Sequence, residues 1–146
     1  MSILVDTNVL LRSAQPSHLL HVVASEAVDL LLSQEEAVYF CPQSIAEFWH
    51  VATRPVSVYG LGFSREELLR EVQAIESLLS FLPEKPEVYD EWKRIVSGYG
   101  VQGLKVFDAR LVATARVYGI TRILTFNGTD FKRYEDISVI DPALVS

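Results

Sequence analysis

An α/β fold with a central, mainly parallel sheet is predicted by three features of the sequence. Compact, mostly apolar runs stand at residues 2–5, 37–41, 120–126 and 137–140, they are rich in β-branched residues and bounded by turn residues, and stretches of helical periodicity separate them. Strands buried on both faces have that character, and crossover helices between parallel strands supply the cover. Right-handed crossovers then give a three-layer α/β/α sandwich. With 146 residues the chain holds one domain, residues 1–146, with a core of its own.

Ser2 to Val5 is the first strand and stops at Asp6-Thr7-Asn8, residues that favour caps and turns. From Ser17 to Ser33, Leu19, Leu20, Val23, Ala27, Leu30 and Leu31 recur at helical spacing. Ala37 to Cys41 is the second strand, closed by Pro42, and Ser44-Ile-Ala-Glu47 matches a capping box, which would put Glu47 in a first helical turn. The stretch from Arg54 to Phe63, with Pro55, Gly60 and Gly62, is the longest loop, and Val56 to Phe63 within it is a substrate-side lid by expectation. Ser64-Arg-Glu-Glu67 is a second capping box, ahead of an amphipathic helix that shows Leu68, Leu69, Val72, Ile75, Leu78 and Leu79 on one face. Pro86 falls in the first turn of the next helix, which is expected to end at Ser97-Gly98. A last helix runs from about Phe107 to Tyr118, with Gly119 as its left-handed stop. Ile120 to Phe126 is the third strand, Asn127-Gly128 a turn, and Ile137 to Ile140 the fourth strand.

Composition narrows the function classes. The single cysteine, Cys41, excludes a disulfide framework and a cysteine-based zinc site, and it fits a reducing compartment. No apolar run reaches membrane-spanning length and the N-terminus has no signal-peptide pattern, so a cytoplasmic protein without membrane contact is expected. A net charge of −6 argues, as a bulk quantity, against a polyanionic partner. The charge is uneven, however: residues 99–146 carry 6 basic and 5 acidic side chains, against 2 and 6 in residues 1–63.

In a parallel sheet with crossover helices every helix begins at the carboxyl edge, where open α/β folds bind ligands. Asp6 ends the first strand, Glu47 and Asp108 open helices, and Asp130 follows the turn after the third strand, so all four acids are expected at that edge. Converging carboxylates need protonation or a cation, and hard oxygen donors without cysteine point to Mg²⁺ or Mn²⁺. Each acid taken singly also fits a helix cap, and Glu47 fits as the partner of Ser44. His18 and His21, three residues apart, lack a suitably spaced acidic partner and read as solvent-facing.

Four segments carry a resemblance that spans nearly the whole chain. Val5-Asp-Thr-Asn-Val-Leu-Leu11, Ser44-Ile-Ala-Glu-Phe-Trp49, Phe107-Asp-Ala-Arg-Leu-Val-Ala-Thr-Ala115 and Leu124-Thr-Phe-Asn-Gly-Thr-Asp-Phe131 stand in the order and spacing of PIN-domain proteins. The sequence resembles the branch that holds the VapC-type toxin ribonucleases. The resemblance implies a Mg²⁺- or Mn²⁺-dependent endoribonuclease, the toxin of a type II toxin-antitoxin system, that works on RNA and is restrained by a cognate antitoxin. It places Asp6, Glu47 and Asp108 at the three core acidic positions and Asp130 at the fourth, with Thr7 and Asn127 at assisting polar positions. One departure stands out, since Phe107 occupies a position where this branch often has histidine.

For the substrate, Arg12, Arg54, Lys105 and Arg110 flank the acidic motifs as possible phosphate contacts, and Trp49 and Tyr59 as stacking residues. The resemblance also implies a homodimer, with the apolar helix 17–33 or 64–82 as the candidate contact surface. Two other functions remain open at this level. A phosphotransfer domain also places an aspartate after a first strand, but a dehalogenase-type phosphatase wants a second acid where Asn8 stands. A catalytically silent PIN-like binding module is the other.

Overall fold

The computed structural model covers residues 1–146. Its sheet has five strands, β1 (Ser2–Val5), β2 (Ala37–Phe40), β3 (Ser80–Phe81), β4 (Arg122–Leu124) and β5 (Ser138–Ile140), in the order β3-β2-β1-β4-β5, and all four pairings are parallel. The expected class is therefore the observed one. The expectation missed β3: only two residues long and exposed, it lies too close to the end of a helix for periodicity to mark it. The third strand is trimmed at both ends of its run, to Arg122–Leu124, and the fourth loses its first residue, to Ser138–Ile140.

The helices are α1 (Thr7–Ser13), α2 (His21–Ser33), α3 (Pro42–Thr53), α4 (Arg65–Leu78), α5 (Glu87–Tyr99) and α6 (Lys105–Val117). None is long and apolar enough to cross a membrane. Alternation along β1 splits the core in two. Ile3 and Val5 face a layer built from α1 to α4, with Val9, Val28, Phe48 and Leu68. Leu4 faces the opposite layer, formed by α5 and α6 with Val88, Ile95, Leu111 and Val112. Both layers bury sixteen residues, so β1 is covered on both sides.

Three helix boundaries depart from expectation. Helix α2 begins at His21 rather than Ser17, because His18 Nδ1 accepts from Leu20 N and holds the preceding residues in a turn. His21 Nδ1 meets Arg12 O at 3.0 Å, so both imidazoles are half-buried packing groups, not solvent-facing ones. Helix α5 runs on to Tyr99 and stops at Gly100, whose φ of 64° is the left-handed conformation that glycine tolerates. The second capping box is as expected: Ser64 Oγ accepts from Glu67 N while Glu67 Oε1 accepts from Ser64 N.

The third departure matters for function. Helix α3 starts at Pro42 with Cys41 as N-cap, and Ser44 bonds back to Cys41, accepting from its N–H and donating to its carbonyl, both at 3.0 Å. Ser44 is thus inside the helix, and Glu47 lies in the second turn with no capping duty.

Candidate metal centre

The chain leaves β1 toward β2 on one side and returns to β4 on the other, so the carboxyl ends of β1 and β4 flank a crevice where the winding reverses. Asp6 sits in it. Asp6 N donates to Leu124 O, its Oδ1 accepts from Thr7 N at 2.8 Å as the cap of α1, and its Oδ2 accepts from the Thr125 hydroxyl at 2.8 Å. Asn8 completes the frame: its amide nitrogen donates to Asp6 Oδ2 and Thr125 Oγ1, and its carbonyl accepts from Phe126 N. Asp6 is both a cap and an oriented, partly exposed carboxylate.

Three further acids reach the same edge. Glu47 comes from α3 in one layer, Asp108 from the first turn of α6 in the other, and Asp130 from a 3₁₀ turn, Gly128–Phe131, that follows β4. Their electrostatics report the convergence. Burial pushes the Asp108 carboxyl up to about 6, and the charges of Asp6, Asp130 and Glu47 push the same way against Lys105. Burial likewise raises Asp6, with the charge of Asp130 adding to it, and hydrogen bonds from Thr125 and Thr7 oppose the shift. Glu47 is raised by burial and by Asp6, while Gln43 and Arg110 hold it down. Lys105 is ion-paired with Asp130.

No three acidic or imidazole side chains close on one point as a ready-made coordination sphere. The carboxylates are coupled through their charges rather than through shared hydrogen bonds. The donor set nevertheless fits Mg²⁺ or Mn²⁺: hard oxygens from four separate elements, with Asp6 prealigned, and Mg²⁺ needs only one or two direct carboxylates because it retains water.

The remaining expected residues divide. Lys105 and Arg110 lie by the acids, Arg110 donating to both oxygens of Glu84 at 2.7 Å and to Gln43 Oε1 at 3.3 Å. Thr7 contributes its backbone N–H rather than its hydroxyl, and Asn127 donates its N–H to Thr125 Oγ1. Arg54 follows α3 at its C-terminus, about two turns beyond Glu47, where it donates to Tyr59 O. The loop expected as a lid is there too, stitched to α3 by Leu61 N to Val51 O and Phe63 N to Ala52 O. About 10 Å of helix rise separates Arg54 from Glu47. Arg12 closes α1 and bonds Gln15, while Trp49, two residues past Glu47 and thus turned well away around the helix, is exposed. No hydrogen bond or ion pair joins Arg12, Arg54 or Trp49 to the four carboxylates. The residues that sequence reasoning missed are Thr125, Asn8 and Gln43. Thr125 and Asn8 lay inside quoted motifs, but nothing local indicated that they would meet across 117 residues.

The PIN domain family model matches residues 3–137, and the chain belongs to that family. Among solved structures, the fold is similar to VapBC2 from Rickettsia felis bound to a DNA fragment from its promoter, at 13% identity, over 96% of this chain and 98% of that one, with a TM-score of 0.72. Mycobacterium tuberculosis VapC20, described as a toxin that cleaves the sarcin-ricin loop, gives 0.68 at 14% identity, over 90% and 95% of the two chains. FitAcB from Neisseria gonorrhoeae gives 0.68 at 19%, over 96% and 97%. No curated protein matches the sequence.

Proposed function

We propose that this chain is a divalent-metal-dependent endoribonuclease and the toxin component of a type II toxin-antitoxin system, acting in the cytoplasm. The observation that carries the reading is the convergence of Asp6, Glu47, Asp108 and Asp130 on the crevice between β1 and β4, where burial first, and then the charges of Asp6, Asp130 and Glu47, push the Asp108 carboxyl up to about 6. Family membership supports a nuclease, and the likeness to VapBC2 and VapC20 supports a toxin with an antitoxin partner.

Asp6 and Asp108 would hold Mg²⁺ or Mn²⁺, with Glu47 and Asp130 beside them. The bound ion supplies a Lewis acid that offsets phosphate charge and eases ionisation of water. The chain's own groups set the geometry. Thr125 and Asn8 fix the Asp6 carboxylate, leaving one face toward the crevice. Glu47, raised by burial, is the group we assign to take the proton of the attacking water. Lys105 neutralises Asp130 and stands where a phosphate oxygen of the RNA would approach. A phosphotransfer role for Asp6 is less well supported, because Asn8 uses both its amide nitrogen and its carbonyl to hold the frame and offers no second acid. The exposed apolar side chains Val22 of α2 and Leu69 and Leu78 of α4 support a homodimer.

The test is degradation of single-stranded and structured RNA by the purified protein with Mg²⁺ or Mn²⁺, beside EDTA and the Asp6→Asn and Asp108→Asn variants. Cleavage lost with EDTA and in both variants is expected. Cleavage that survives both substitutions would sink the proposal.

A further inference from the structure

Beside the acidic crevice lies a cleft of about 660 Å³ that none of the assigned residues except Arg110 explains. Its walls are aromatic. Tyr89 is 61% exposed on α5 and Phe107 51% exposed on α6, facing a cleft they share with Trp92. Trp92 is held in place by its indole N–H, which donates to Val106 O at 2.8 Å, with the Tyr89 ring centroid 6.2 Å away. Arg110, paired with Glu84, and Lys85, whose Nζ lies 4.1 Å from the centroid of the Tyr118 ring, line the same space.

The cleft and the acidic site share a wall. Gln43 Nε2 donates to Phe107 O at 2.7 Å and its Oε1 accepts from Arg110, while the same side chain holds the Glu47 carboxyl down. Phe107 directly precedes Asp108. Aromatic faces exposed beside cations and continuous with a phosphodiester-cleaving site have the form of a single-strand platform, on which any base can stack. A volume of this size is in the ordinary range for one small ligand. Apolar burial alone would suit a protein partner equally, but it gives no reason for the wall shared with the acidic site.

We propose that this cleft receives one unpaired base of the RNA adjoining the scissile phosphate and stacks it on Phe107 and Tyr89; the inference rests on the ribonuclease reading. Phe107 is then a specificity-determining residue that favours a flat apolar surface.

Steady-state cleavage of a single-stranded RNA by the full chain tests it, with Phe107→Ala, Tyr89→Ala and Phe107→Tyr beside the wild type. Both rings are exposed, so thermal melts should match. The alanine variants should raise KM by about tenfold while kcat holds, and Phe107→Tyr should restore KM. Replacing one nucleotide at a time by an abasic residue should raise KM at one position near the cut in the wild type, with no added effect in Phe107→Ala. 2-Aminopurine at that position should be quenched on binding by the wild type only. A wild type that cleaves RNA while Phe107→Ala keeps its KM and its abasic profile overturns the cleft assignment alone, also if Phe107→Ala instead loses a polypeptide partner. A wild type that neither binds nor cleaves RNA overturns both readings.

Discussion

Thr125, at the carboxyl end of β4, donates its hydroxyl to Asp6 Oδ2 at 2.8 Å, tying the ends of the two strands that flank the crevice. Thr125 is 1% exposed, so its hydroxyl has no competing water. Thr125→Val keeps the shape and removes the bond. RNA cleavage is expected to fall ~10–100-fold, as for other groups that orient metal-binding carboxylates. Because the bond lowers the Asp6 carboxyl, its loss also shifts the acid limb of the pH–rate profile upward. A profile and rate equal to wild type would separate Thr125 from the site.

Stability of the metal-free protein should depend on pH through Asp108. Its carboxyl is raised from 3.8 to about 6, so the folded state holds the proton more tightly than the unfolded chain. The associated stabilisation is complete below about pH 4 and is lost as pH rises through 6. Discounted for solvent screening, the effect is about 1 kcal/mol, readable as a lower melting temperature at pH 7.5 than at pH 5 after correction with Asp108→Asn. Mg²⁺ should restore stability at pH 7.5 and do little at pH 5, where protonation competes with the ion. The opposite slope in the Asp108 difference would contradict the placement of this acid among like charges.

Ser44 and Glu47 separate fold from chemistry. Ser44 is fully buried and closes the start of α3, so Ser44→Ala should cost about 1–3 kcal/mol in chemical denaturation. Glu47→Gln removes a charge raised by burial and by Asp6, so stability should hold within ~0.5 kcal/mol or rise, while cleavage should collapse. Equal losses of stability in both would return Glu47 to a structural role.

The loop after α3 should be silent. Tyr59 is 91% exposed beyond the C-terminus of α3, opposite the carboxylates, so Tyr59→Ser should leave RNA cleavage unchanged. A large rise in KM would show that the substrate reaches that end.

The sequence made the class of fold and the four acids legible because both rest on local signals: apolar runs bounded by turn residues, and acids just past them. Glu47 was rightly placed at the edge for a wrong local reason. A serine three residues before a glutamate looks like a capping box, but Pro42 starts the helix earlier and Ser44 bonds Cys41 instead. Strand β3 was illegible because two exposed residues carry no period. Thr125, Asn8 and Gln43 were illegible as a frame because their partners are distant in the chain, Gln43 meeting Phe107 across 64 residues. The lid reading failed for a related reason: irregular sequence marks a loop, but only the direction of α3 says which edge of the sheet it covers. Net charge misled most, since −6 overall includes four acids gathered at one crevice that a cation would offset.

The central claim is that these four acids are gathered for a metal ion rather than for the fold. Calorimetric titration of the purified full chain with Mn²⁺ at pH 7.5 tests it most directly, with Asp6→Asn and Asp108→Asn in parallel. Saturable binding in the wild type that is lost or weakened at least tenfold in each variant is the expected result. Absence of binding in the wild type, or equal binding in all three proteins, would contradict it.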